Sequence, residues 1–210
     1  MLGIAKRLLT PAEYLARERA AAIKSEYFRG EMFSVAGESY SHVLLVSNFT
    51  TVLNNTLREH GCHALPSDLR VKTVSTSFYT YPDIVVLCGS PEFEDAQSDT
   101  LLNPIAIVEV LSESSEAHDR GEKFDQYRRI ETLKEYVLVA QNKPHVDQFI
   151  RMQDGQSWLF TQFKGLEATL NLGTIPVRIP LREIYLDVLF PPPAPLRHDE
   201  RPDTSDRPED

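Results

Sequence analysis

The sequence predicts a mixed α/β (α+β) fold, a central mixed sheet flanked by helices. Three observations lead there. The strand-like apolar runs stand mainly in the middle of the chain, and segments with helical spacing lie on either side of the strongest one. That run, residues 104–111 (PIAIVEVL), is apolar almost throughout, as in a strand covered on both faces. Later runs carry strand patterning with no long helix between them, which argues layers of helix on a mixed sheet.

The elements follow in order. Thr10-Pro11-Ala12-Glu13 opens a helix: Thr can cap it, Pro suits its first turn, and Glu stands three residues after the cap. That helix is expected to reach about residue 22. Residues 25–37 (SEYFRGEMFSVAG) read as a hairpin turning at Arg29-Gly30. Residues 39–60 place Val43, Leu44, Val46, Leu53 and Leu57 at helical spacings, and Gly61 supplies a stop. Short strands are expected over 68–73 and 76–87, then a polar, acidic loop over 88–103. A Ser-rich start opens a helix over 115–131. Further strands are expected over 135–140, 146–152, 158–163 and 175–179, with a short helix over 181–186. No internal repeat is visible.

Composition bounds the function classes. With 41% hydrophobic and 25% charged residues, the chain of 210 residues is globular, and residues 1–190 are read as a single domain. Residues 191–210 hold six of the fourteen prolines and almost nothing apolar, so they cannot offset their ordering entropy and read as a disordered acidic tail. The net charge of −9 excludes a polybasic binder. No apolar run approaches the roughly 20 residues of a membrane helix. Lys6 and Arg7 interrupt any signal region. Cys62 and Cys88 make no disulfide framework and fit a reducing compartment. A cytoplasmic protein is expected.

Several chemistries leave no trace. There is no Gly-x-Ser-x-Gly elbow, no phosphate-binding Gly-rich loop, no Cys-x-x-Cys and no His-Glu-x-x-His. His60, Cys62 and His63 stand close together without a partner cluster, so a surface or core role suits them better than zinc.

The unusual feature is a pair of carboxylates inside strand-like runs, Asp83 in YPDIVVLC and Glu109 in IAIVEVL. An ionised carboxylate in a buried strand is costly unless it is paired or bound to metal. Alternation puts Tyr81, Asp83 and Val85 on one face, and Ile107, Glu109 and Leu111 on one face. If the strands are neighbours, the carboxylates converge. For either acid alone, an Arg partner or a helix cap is the simpler account. However, residues 83–119 hold nine acids and no Lys or Arg, so no pairing network exists within that stretch. A divalent cation, Mg²⁺ or Mn²⁺, answers that imbalance. The first lysine afterwards is Lys123, which shares a helical face with Asp119 and Tyr127. It is either an ordinary surface partner of Asp119 or it reaches back over the sheet to the two acids, with Gly121 allowing a close approach. There it could orient water or stabilise charge on a phosphate oxygen. Lys72 and Lys134 are the next lysines to consider.

Pro82-Asp83, then Glu109 in an apolar strand, then a lysine resembles the PD-(D/E)XK nuclease superfamily. YPDIVVL, IVEVLS, DRGEKFDQYRR and EYVLV more closely resemble the bacterial restriction-endonuclease-like proteins of the Uma-two family, over most of residues 10–190. The resemblance implies a restriction-endonuclease-like core, Asp83 and Glu109 as ligands of Mg²⁺ (or Mn²⁺), and Lys123 as the catalytic lysine. It departs from the superfamily at Leu111, where a lysine is usual, and from the family at Glu113, where proline is usual. Glu26 matches an acid found early in this family. It is a partner for the metal ligands or for Lys123, or a plain strand charge. Tyr127 is a second such candidate, and His42 a weaker one. The implied function is an Mg-dependent endonuclease hydrolysing DNA. The charge gives DNA thin support: residues 118–134 hold five basics against four acids, and a homodimer is expected. The alternatives are a catalytically silent nuclease-fold binding or regulatory protein, and a small-molecule hydrolase using the same carboxylates.

Overall fold

The first helix begins as its capping residues dictate. In the computed structural model, which describes residues 7–112, 115–175 and 177–190, Glu13 N donates to Thr10 Oγ1 and the Glu13 carboxylate accepts from Thr10 N. Helix α1 spans Pro11–Glu18, four residues short of the expected end. Ala20, Ala21 and Ala22 are exposed, so a longer helix would have no apolar face to bury. The Glu18 carboxylate instead accepts from Ser25 N and starts the hairpin of β1 (Ser25–Phe28) and β2 (Glu31–Ser34). Arg29 (φ 50°) and Gly30 (φ 88°) make the expected turn, whose left-handed residues match strand twist. Ser39 caps α2 (Tyr40–Leu57), and Gly61, at φ 66°, ends the helical segment.

The remaining strands are β3 (Cys62–Pro66), β4 (Arg70–Thr73), β5 (Phe78–Thr80), β6 (Ile84–Cys88), β7 (Thr100–Leu101), β8 (Ala106–Leu111), β9 (Glu135–Ala140), β10 (His145–Arg151), β11 (Trp158–Lys164), β12 (Thr169–Asn171) and β13 (Arg178–Pro180). A six-stranded sheet has the order β11-β10-β9-β8-β6-β3, and a five-stranded sheet the order β2-β1-β5-β4-β7. Strands β8 and β9 run parallel while the other pairs of the larger sheet are antiparallel, so the sheet is mixed as predicted. One face, with Ile84, Val86, Val108, Val137 and Val139, packs on Leu45, Phe49 and Leu53 of α2. The other face, with Val85, Ile107, Tyr136 and Leu138, packs on Val71, Phe78 and Leu101 of the smaller sheet and on Tyr127. Both faces of β8 are covered, which is why its sequence reads as a continuous apolar run.

Four expectations need correction. The strand expected over 76–87 is broken at Tyr81-Pro82-Asp83, because Pro82 has no N–H for a ladder. Its halves, β5 and β6, join different sheets. The helix expected over 115–131 is shorter: α3 (Glu116–His118), a π turn (Asp119–Lys123) and α4 (Phe124–Tyr127). The strand expected over 175–179 begins at Arg178, paired with β12, and α5 (Leu181–Ile184) follows. Finally, Cys62 and Cys88 are bonded to one another, with Sγ atoms 1.94 Å apart. Strand β3 was not legible in the sequence, and it is the register of β3 on β6 that sets Cys62 opposite Cys88. The expected tail over 191–210 and the departure at Glu113 lie outside the described residues. Among the described residues, no helix is long and apolar enough to cross a membrane.

Candidate active site

Strands β6 and β8 are antiparallel neighbours, with Ile84 opposite Val108. That register carries Asp83, one residue before β6, to a position opposite Glu109. Asp83 N donates to Glu109 Oε2 at 3.3 Å, and Val110 N donates to Asp83 Oδ2 at 2.7 Å. The break at Pro82 therefore does not separate the two acids. It frees Asp83 from the ladder, so that its carboxylate takes a backbone donor of β8. Both acids line one cavity of about 1180 Å³.

Lys123 reaches this point from the helical segment above the sheet. Its Nζ lies 3.3 Å from Glu109 Oε1, 3.3 Å from Glu26 Oε1 and 3.4 Å from Asp119 Oδ1. It is no surface pair with Asp119: only 12% of the Lys123 side chain and 3% of the Asp119 side chain are exposed. Burial alone would favour neutral Lys123, but Glu109, then Glu26 and Asp119, hold its pKa well above the usual lysine range. Glu109 is also pushed well above the ordinary carboxyl value. Burial is the main cause, opposed by Lys123 and reinforced by Asp83 and Asp119. The cluster holds more carboxylates than its one ammonium can balance.

The secondary candidates occupy the same cluster. Tyr127, fully buried, donates from its hydroxyl to Glu109 Oε1 at 2.7 Å. Thr80, 3.2 Å from the Tyr127 hydroxyl, donates to Glu26 Oε1. Glu26 on β1 is thus tied to β5 and to Lys123, and is no free strand charge. His42 does more than pack between helix and sheet. Its Nε2 lies 2.9 Å from Asp83 Oδ1 and its Nδ1 3.3 Å from Glu38 Oε2. Burial disfavours its charge, yet Asp83 and then Glu38 raise its pKa above the ordinary value. Sequence reasoning offered Asp119 and the strand acids as alternative partners of Lys123, and missed that Lys123 meets both at once, with Asp119 buried beside Glu109 and Glu26. Gly121 does not explain the close approach, since a Cβ there would meet nothing within 4 Å. Lys72 is paired with Glu94 and Lys134 bonds the Glu131 carbonyl, so neither lines the cavity.

The cavity walls carry Glu26, Glu38, Asp83, Glu109, Glu116, Asp119 and Glu122, with Lys123 the one Lys or Arg among the lining residues. No group of three or more His, Cys, Asp or Glu side chains forms a metal cage among the described residues. Two hard carboxylates with an open cavity before them suit Mg²⁺, which keeps several waters and takes one or two protein carboxylates.

The fold is that of a nuclease-like α+β protein. It matches the crystal structure of a putative nuclease belonging to DUF820 from Anabaena variabilis, with a TM-score of 0.69 at 16% identity over 84% of this chain and 97% of that one. Residues 11–181 match the Uma2 family, described as "Putative restriction endonuclease", and the chain belongs to that family. Two proteins of Synechocystis sp. are similar over most of their length. The uncharacterized protein sll1609 is 35% identical over 82% of this chain and 97% of its own. The uncharacterized protein slr1290 is 34% identical over 87% and 94%.

Proposed function

We propose that this chain is a metal-dependent endonuclease hydrolysing DNA phosphodiester bonds in the cavity above Asp83 and Glu109. One observation carries the reading. Asp83 before β6, Glu109 of β8 and Lys123 of the helical segment line one cavity, in a family described as "Putative restriction endonuclease". Asp83 and Glu109 would hold Mg²⁺ or Mn²⁺, which supplies charge to the scissile phosphate and a lowered pKa to bound water. The excess of carboxylate over ammonium fits such a cation.

The chain's own groups account for the remaining chemistry. Lys123, buried and held charged, offers a preorganised cation for the charge that builds on phosphate oxygens. A lysine held this firmly in its ammonium form suits that role better than proton abstraction. Glu26 and Asp119 position it, and Tyr127 fixes the Glu109 carboxylate. His42 and Val110 N fix Asp83. A homodimer acting on DNA completes the proposal.

The test is cleavage of supercoiled plasmid with Mg²⁺ or Mn²⁺, alongside thermal melts with and without metal. Asp83→Ala and Glu109→Ala should lose both cleavage and the metal-induced rise in melting temperature. Lys123→Ala should keep the rise and cut at a rate lower by about 10² or more. Lys123→Arg should recover little, because a planar guanidinium presents its donors differently. A wild type that melts higher with Mg²⁺ but cuts no nucleic acid would favour the second reading, a catalytically silent binding protein. The acid-lined cavity and the net charge of −9, both of which oppose phosphate, support that alternative.

A further inference from the structure

Strand β11 forms one edge of the six-stranded sheet. Two backbone bonds fix which of its groups point outward. Met152 N donates to Ser157 O at 2.8 Å, and Gly165 N donates to Pro144 O at 2.9 Å. In the register between them, Ile150 faces Leu159, Gln148 faces Thr161 and Val146 faces Phe163. Bonded and non-bonded pairs alternate along an antiparallel ladder. Leu159, Thr161 and Phe163 therefore use their backbone groups on β10. Trp158, Phe160, Gln162 and Lys164 turn theirs outward.

Natural edges are shortened, covered, charged, bulged or broken by proline. The opposite edge, β3, follows that rule. It ends at Pro66, and Asn54 of α2 bonds both the N–H and the carbonyl of Ala64. Among the described residues, strand β11 carries one such device only, Lys164 at its end. Residues 158–163 (WLFTQF) contain no charge, no proline and no glycine. Leu159 is 51% exposed and Phe160 48% exposed.

We propose that β11 pairs antiparallel with β11 of a second copy, about a two-fold axis at Thr161, joining two six-stranded sheets into one. This interface does not depend on the nuclease reading. In that register all four outward residues meet outward residues: Trp158 meets the second copy's Lys164, and Phe160 its Gln162. Leu159 faces the second copy's Phe163. The strand is its own complement, as a two-fold interface requires. Charge also selects this patch. Two copies at net −9 repel one another, and residues 158–164 contain no acid and one lysine. Residues 191–210 are not the occupant. Their six prolines interrupt any ladder, and the longest proline-free run, LRHDER, is mostly charged. The pairing would also brace the site. Phe160 packs in a tilted contact on Phe149 (ring centroids 4.9 Å apart), and Phe149 likewise on Phe124 (4.7 Å), the residue after Lys123.

Sedimentation velocity on the full chain tests this directly. The expected species has twice the monomer mass of 23.9 kDa. Thr161→Cys should form an interchain disulfide under mild oxidation, seen as a doubled mass on a non-reducing gel. The wild type, whose two cysteines are bonded to each other, should not. Leu159→Lys should sediment as a monomer with an unchanged circular dichroism spectrum. A truncation after Phe190 should remain dimeric. A monomeric wild type, a Thr161→Cys dimer that fails to cross-link, or a Leu159→Lys variant that stays dimeric would each overturn the proposal. Loss of the dimer on truncation would overturn the choice of occupant.

Discussion

Lys123 stays charged in a buried place because Glu109, Glu26 and Asp119 surround it. Removing it leaves those carboxylates with no opposing charge, and breaking such a buried cluster is costly. We predict that Lys123→Ala lowers the melting temperature of the metal-free protein. Added Mg²⁺ should restore more of the loss in the variant than it adds to the wild type, and paired melts will show this. A second residue sets the acid limb of stability. Arg19, and less strongly Arg70, depress the pKa of Asp99, each with a guanidinium nitrogen 2.8 Å from its carboxylate. For a depressed carboxyl, the stabilisation is complete above the unfolded value of about 3.9 and is lost as pH falls through the folded value. Melting temperatures from pH 5 downward should therefore fall less steeply for Asp99→Asn than for the wild type. Near neutrality Asp99→Asn should be the less stable of the two.

The segment Glu116–Tyr127 shows why a helix of plain pattern can hold a special element. Its middle turn, Asp119–Lys123, is a π turn, a feature often found at functional sites. It clips the segment to the sheet at two points in one row. Arg120 Nη1 lies 2.6 Å from Asp147 Oδ2, and Lys123 Nζ lies 3.3 Å from Glu109. Glu109 and Asp147 both sit opposite Leu138 of β9. Gly121 lies in this turn with open space around its missing Cβ. Gly121→Ala should thus stabilise the protein by about 0.5–1 kcal/mol, chiefly by reducing unfolded-state freedom. Urea titration measures it, and destabilisation would mean that the turn requires glycine for another reason. The sequence disclosed the helix start and the i, i+4 relation of Asp119 to Lys123. It did not disclose the π turn, because the wider hydrogen-bonding pattern is set by what the sheet below offers Arg120 and Lys123.

At the scale of the molecule, two sheets and one disulfide define the frame. The Cys62–Cys88 bond spans 26 residues and ties edge strand β3 to β6, the strand that follows Asp83. Closing a loop of that length is worth roughly 2–4 kcal/mol. Reduction by a thiol should lower the melting temperature, and Cys62→Ser with Cys88→Ser should reproduce the reduced value. A melt unaffected by reductant would show that the bond contributes nothing to stability. The acid-rich cavity opens between the smaller sheet's hairpin and the helical segment, so both sheets contribute to the site.

The sequence by itself determined what local chemistry can write. The capping box at Thr10, the Arg29-Gly30 turn, the stop at Gly61 and the doubly covered strand β8 were all legible. So were the two acids and the lysine, because a buried carboxylate amid apolar residues is costly and therefore conspicuous. Tertiary structure decided which groups meet. Register alone sets Asp83 opposite Glu109 and Cys62 opposite Cys88, and pairing between distant strands leaves no periodic mark in either one. For Glu26 and His42 the sequence left a site role and a plain one open, because their partners stand on other elements, Thr80 and Lys123 for one, Asp83 for the other. A side chain's charge and reach are written in its type; the neighbours it meets are supplied by the fold.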